Sequence, residues 1–122
     1  MREILFKARR LDNGEWVEGY YIGPIGVLDV HEICDVHDIT GPRVEVDPST
    51  VGQYTGLKDK NGKRIFEGDN VYDPHENSIY TVEWNENNAI FQMAHDWHRR
   101  SVETAYYCEI IGNIYDGEGD ND

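Results

Sequence analysis

Cysteine is scarce in this chain. Cys34 and Cys108 are the only two in 122 residues, too few for a disulfide framework, and free thiols in a reducing compartment are the expected state. Basic residues are scarce as well. Eleven Lys and Arg stand against twenty-four Asp and Glu, a formal charge of −13. Phosphate contacts require Lys and Arg, so most of the surface is unsuited to nucleic acid or anionic lipid. Such a charge favours solubility, and it leaves open a basic partner or imitation of nucleic acid. No apolar run has the length of a membrane helix. Met1 to Lys7 has no apolar core of the secretory kind, so a soluble, cytoplasmic protein is expected. A Walker loop, an HExxH helix and a Ser or Cys nucleophile motif are all missing. The expectation is therefore a protein that is not an enzyme and needs no cofactor.

What the chain does contain is strand and turn chemistry. The composition is uniform, which predicts one domain over residues 1–115, and this length can bury a core without disulfides or metal. Eight Tyr, three Trp and three Phe supply aromatic mass. Leu5 to Arg9 alternates, Trp16 to Ile22 is rich in strand formers, and Asn13-Gly14 lies between them. Asn-Gly supplies the positive φ of a tight hairpin turn, so residues 4–22 read as a β-hairpin. Gly23-Pro-Ile-Gly26 reads as a turn.

Residues 27–39 are ambiguous. Apolar positions 30, 33 and 34 suit a helix, whereas 28, 30, 34 and 36 suit a strand; β-branched content favours the strand. Val44 to Val46 is a short strand, and Asp47-Pro-Ser-Thr50 is a turn or a single helical turn. Further strands are expected at 51–57, 70–73, 79–84, 89–93 and 105–111. Turns are expected at Asp59–Lys63 and at Glu67-Gly68-Asp69, a hairpin connection at 85–88, and a loop at 94–104. Residues 116–122 form a glycine-spaced acidic tail, expected to be disordered. Short strands with Gly and Asn turns indicate a mostly-β barrel or roll.

One segment is specific enough to point further. Thr50-Val-Gly-Gln-Tyr-Thr-Gly-Leu-Lys-Asp-Lys-Asn-Gly-Lys-Arg-Ile-Phe-Glu-Gly-Asp-Asn-Val71 resembles the signature of the YopX family, small proteins of phages and prophages. Phe6 to Gly19 resembles that family's opening hairpin, and Glu109 to Tyr115 its closing strand. The motifs occur in the family's order and span most of the chain. The resemblance implies a fold more than a reaction: an N-terminal hairpin and an SH3-type small barrel or roll formed largely by the C-terminal half. It carries over no catalytic residue. Its phage association implies an accessory protein of the bacterial host cytoplasm.

Three clusters are candidate sites. Lys58, Lys60, Lys63 and Arg64 crowd one turn of an acidic protein. They would suit an anion, a nucleic-acid phosphate or the acidic surface of another copy, or they are a solvated hairpin tip. His31, Cys34, Asp35, His37 and Asp38 are all of metal-ligating type. On a strand, His31, Asp35 and His37 share a face; on a helix, His31, Cys34, Asp35 and Asp38 cluster. Neither conformation gathers the whole set, and a polar strand with Cys34 as a small core residue competes. The third cluster is His95-Asp-Trp-His98 with Arg99 and Arg100. A His–Asp pair suits acid–base work, an aromatic beside two arginines suits a base and its phosphate, and a plain surface feature or a subunit contact competes with both. The leading expectation is a non-enzymatic β-protein that binds another protein or itself. Nucleic-acid binding at Lys58–Arg64 and a metal-dependent enzyme at His31, Asp35 and His37 are the alternatives.

Overall fold

The computed structural model describes residues 3–38 and 40–116. The expected tail at 116–122 therefore lies outside the described residues apart from Asp116. The chain divides into two compact units, Met1–Tyr54 and Thr55–Asp122. Both are mostly β, as the turn chemistry predicts.

The first unit contains β1 (Phe6–Arg9), β2 (Trp16–Ile25), β3 (Val30–Asp35), β4 (Val44–Glu45) and the start of β5 (Gly52–Lys58). They form an antiparallel sheet in the order β4-β3-β2-β1-β5. The predicted hairpin is present, with Phe6 opposite Gly19 and Arg9 opposite Trp16. Gly14 turns at φ +73°, and Asn13 Oδ1 accepts from the Glu15 N–H at 2.9 Å. Ala8, Val17, Ile33 and Val46 form the core, with Tyr21, Val44 and Val51 against it. Gly19 is required by close approach: a Cβ there would sit 1.9 Å from the Cys34 carbonyl oxygen, well inside van der Waals contact.

The ambiguous stretch resolves as a strand, β3, over only part of its length. The turn before it is displaced from the expected Gly23–Gly26. Gly23 and Pro24 belong to β2, where the register shifts between Ile22 and Ile25. The chain reverses at Gly26–Asp29 instead, because Asp29 can take the left-handed φ of 56° that closes the turn. Pro48–Thr50 is a single 3₁₀ turn whose N-cap, Asp47, accepts from the Ser49 N–H.

In the second unit the remainder of β5 neighbours β6 (Arg64–Phe66). A five-stranded antiparallel sheet follows: β7 (Asp69–Asp73), β8 (Ser78–Asn85), β9 (Ile90–His95), β10 (His98–Ser101) and β11 (Glu109–Asn113), in the order β10-β9-β8-β7-β11. β10 and β11 lie at opposite edges, so this sheet does not close into the expected barrel. Its core gathers Ile65, Val71, Tyr80, Val82, Met93, Val102, Ala105 and Cys108.

Two expectations fail here. Residues 94–104 are not a loop. Arg99 and Arg100 pair in β10 with Ala94 and Met93 of β9. The pairing is made by backbone, and charged side chains are common on edge strands, so a polar sequence hid a real strand. The strand expected at 105–111 begins only at Glu109, because Val102–Tyr107 winds as 3₁₀ from a Ser101 N-cap and buries Val102 and Ala105.

Ala89 closes the β8–β9 turn at φ 55°, a conformation that costs a residue bearing a Cβ about 1–2 kcal/mol. Ala89→Gly is expected to raise stability by about 0.5 kcal/mol once the larger unfolded-state entropy of glycine is subtracted. Chemical denaturation of the variant measures it, and a loss of stability would contradict the turn geometry.

Candidate functional site: a cleft beside the β9–β10 tip

Asp73 ends β7 and opens the Pro74–Asn77 turn. Its Oδ1 accepts from the His75 N–H at 2.8 Å and the Glu76 N–H at 3.2 Å, the self-bonded turn that aspartate makes with its own backbone. Its Oδ2 meets Arg100 from β10. The carboxylate is 0% exposed and the Arg100 side chain 14%. Arg100 also donates to the Tyr107 hydroxyl, lies 4.9 Å from the Tyr80 ring centre and is 3.3 Å from Glu76 Oε2. Glu76 Oε1 accepts from the Tyr80 hydroxyl.

The charges in this network settle each other. Burial alone would raise the Asp73 carboxyl, but the Arg100 bond and the two backbone N–H donors outweigh it and hold the group below the usual carboxylate range. Burial likewise works against the Arg100 charge, and its bonds to Asp73, Tyr80 and Tyr107 reverse the direction. The Tyr80 hydroxyl is raised chiefly by its bond to Glu76. Cys108, inside the core, is pushed up to about 11, by burial first and by Asp73 second. At neutral pH it is a thiol, not a nucleophile.

Above this network lies an open cleft of about 270 Å³, bordered by Glu76, Tyr80, His95, Asp96, Trp97 and His98. The β9–β10 turn places Asp96 at φ 53° and Trp97 at the tip, where it is 90% exposed. His95 Nδ1 lies 3.0 Å from the Ile79 carbonyl, and its Nε2 is 3.7 Å from Asp96. Arg99 is turned aside, bound to Glu83 Oε2 at 3.1 Å and to the Asp96 carbonyl at 2.6 Å. The cleft thus offers two carboxylates, two imidazoles and an exposed indole.

A second buried carboxylate organises the basic turn. Asp59 Oδ1 accepts from the Asn61 and Lys63 N–H groups, each at 2.9 Å, and Oδ2 accepts from the Ile110 N–H of β11 at 3.0 Å. Burial opposes its charge; the Ile110, Lys63 and Asn61 amides prevail, and its pKa is lowered. Lys58 and Lys63 are exposed at this turn. Lys60 lies 3.5 Å from Glu109, and Arg64 is half-buried.

The metal-type cluster lies in and after β3. Its His31 Nδ1 is hydrogen-bonded to the Tyr21 hydroxyl, and the two rings stack at 5.7 Å. Asp35 Oδ1 accepts from the His37 N–H at 2.8 Å, and Asp38 Oδ1 from the Thr40 hydroxyl at 3.3 Å. Among the described residues, no group of three or more His, Cys, Asp or Glu is placed to hold a metal ion. Sequence reasoning singled out His95–Arg100 but missed Asp73, Glu76, Tyr80 and Tyr107. The Asp-Pro-His-Glu turn was a usable local signal. The Asp73–Arg100 pair, 27 residues apart, left none.

The geometry of strands, turns and cleft extends over a stretch that a family model described as YopX protein matches, residues 6–118. The chain belongs to the YopX family. No curated protein matches it. The matched span of this YopX-family chain includes both the cleft and the Lys58–Arg64 turn, and membership suggests a phage-associated protein. No helix among the described residues is long and apolar enough to cross a membrane.

Proposed function

We propose that this YopX-family chain is a phage or prophage accessory protein that acts in the bacterial host cytoplasm by binding another protein or a second copy of itself, without catalysis. The observation that carries this reading is Trp97: a large aromatic, 90% exposed at a hairpin tip, bordering an open cleft. Exposed tryptophans bordering a concavity are typical anchors of protein interfaces. Around it, three groups that acid–base or nucleophilic chemistry could use are engaged by the fold. Asp73 is bound to Arg100, Tyr80 to Glu76, and Cys108 is a buried thiol.

Nucleic-acid binding at Lys58, Lys60, Lys63 and Arg64 has less support. Lys60 is drawn to Glu109, and a charge of −13 opposes approach of a polyanion. Arg99 and Arg100 are held by Glu83 and Asp73.

An aromatic photo-crosslinking amino acid at position 97, which keeps a large ring at the hairpin tip, tests the proposal in bacterial cytosol. One discrete protein adduct is expected, either with a second copy or with another protein, competed away by unlabelled wild type. The same group at exposed position 28 should give no such adduct. Adducts of equal yield from both positions, or none from position 97, would overturn it.

A further inference from the structure

We infer that the cleft beside Trp97 receives an arginine side chain presented by a basic partner protein. This rests on the protein-binding reading above and names the chemistry that the site would recognise.

The three tryptophans differ in what covers them. Trp16 is covered by cations of its own sheet, Lys7 Nζ at 5.1 Å and Arg9 Cζ at 5.3 Å from the ring centre. Trp84 packs edge-on against Phe91 at 4.9 Å. Trp97 has neither a ring nor a cation partner among the described residues. An indole face is the best aromatic partner for a cation, and a planar guanidinium both stacks on it and bonds a carboxylate with two parallel N–H groups.

The carboxylates are in place. Glu76 is 48% exposed, yet its position is fixed, because Tyr80 holds one oxygen and Arg100 lies 3.3 Å from the other. Arg100 is shared between the buried Asp73 and Glu76, so the three groups together keep one net negative charge, on the cleft side. Asp96 adds a second carboxylate at the rim. A carboxylate held in advance loses little freedom on binding.

Size agrees with charge. The cleft, about 270 Å³, falls below the roughly 300–1,000 Å³ of pockets for drug-sized ligands. One long side chain suits it. A nucleotide does not, since two carboxylates border the space its phosphate would enter and Arg99 is bonded to Glu83. On a chain of −13, a cationic partner is also the one that long-range attraction brings in.

The test uses the full chain and follows the Trp97 indole N–H by NMR. Acetyl-Gly-Arg-Gly-amide, the lysine and all-glycine analogues, and a thymidine dinucleotide are titrated separately. A saturable shift is expected with the arginine peptide, several-fold weaker binding with lysine, and no shift with glycine or the dinucleotide. Glu76→Gln and Asp96→Asn should each weaken arginine binding at least fivefold; Asp96→Asn alters only the rim, so it answers even if Glu76→Gln disturbs the fold. Glu86→Gln, an exposed carboxylate of the β8–β9 turn, removes the same charge and should change binding less than twofold. Absence of saturation, equal weakening by Glu86→Gln, lysine binding as tight as arginine, or a saturable shift with the dinucleotide would each overturn the inference. If position 97 still crosslinks to a protein while the arginine peptide fails, only this inference falls. If the peptide binds and the crosslink is absent, the cleft still recognises arginine, but the wider reading falls and the partner protein with it.

Discussion

Arg100→Met is expected to lower the stability of the second unit by about 3–5 kcal/mol, the usual result of removing one partner from a buried ion pair. The Asp73 carboxylate it leaves behind is 0% exposed. Two backbone N–H donors from its own turn would remain, but no positive charge would touch it. The Tyr107 hydroxyl and the Tyr80 ring would lose the guanidinium as well. Replacing Asp73 by Asn in the same chain should restore a large part of the loss, since the desolvated charge is then gone. Urea denaturation of the two single variants and the double variant measures this. A single-variant loss below about 1 kcal/mol, the level of a surface pair, would mean that the network contributes little.

Asp59→Ala carries the second large effect, about 3 kcal/mol. Three backbone amides lose their acceptor at once, and one of them, Ile110 N–H, belongs to β11. Water can reach the amides of Asn61 and Lys63 at the exposed turn; the half-buried Ile110 amide has less access. The β5–β6 turn and the edge strand β11 should both loosen, which amide hydrogen exchange at Lys63 and Ile110 would detect.

The same carboxylates set a pH dependence. The pKa values of Asp59 and Asp73 are lowered in the folded chain, so the unfolded chain binds more protons through the acid range. Stability therefore rises with pH there. The contribution is complete above the unfolded carboxyl value of about 3.9 and is lost as pH falls through the lower folded values. Wild-type stability should drop steeply below about pH 4, and Asp59→Asn should flatten that limb while lowering the neutral plateau.

Local chemistry was legible in the sequence where a few adjacent residues determine it. Asn13-Gly14 identified the first hairpin, and Asp59 to Lys63 identified a turn that two amide bonds to Asp59 now explain. The alternation from Ile79 to Trp84 identified β8. Legibility failed where backbone pairing acts across a polar sequence, as in β10, whose histidine and arginines carry no strand pattern. It failed again at Val102–Tyr107, where aromatic residues of strand type are wound by a serine cap. The cleft was half legible. His95, Asp96, Trp97 and His98 stood out by type, but the cleft also needs Tyr80 from β8 and Glu76 from the turn before it, and contacts across a sheet have no fixed spacing in sequence. The glycine-rich segment that identifies the family proved to be turn mechanics, and the exposed aromatic chemistry lies some thirty residues later.

In the proposed reading the two are separate: the buried polar network maintains the fold, and Trp97 does the binding. Trp97→Ala tests that separation most directly, with thermal unfolding and capture of the crosslinked partner measured on the same preparation. The account predicts an unfolding midpoint close to wild type, because the side chain is 90% exposed, together with loss of the partner; Trp84→Ala should retain it. A Trp97→Ala protein that holds its partner as tightly as wild type would contradict the account.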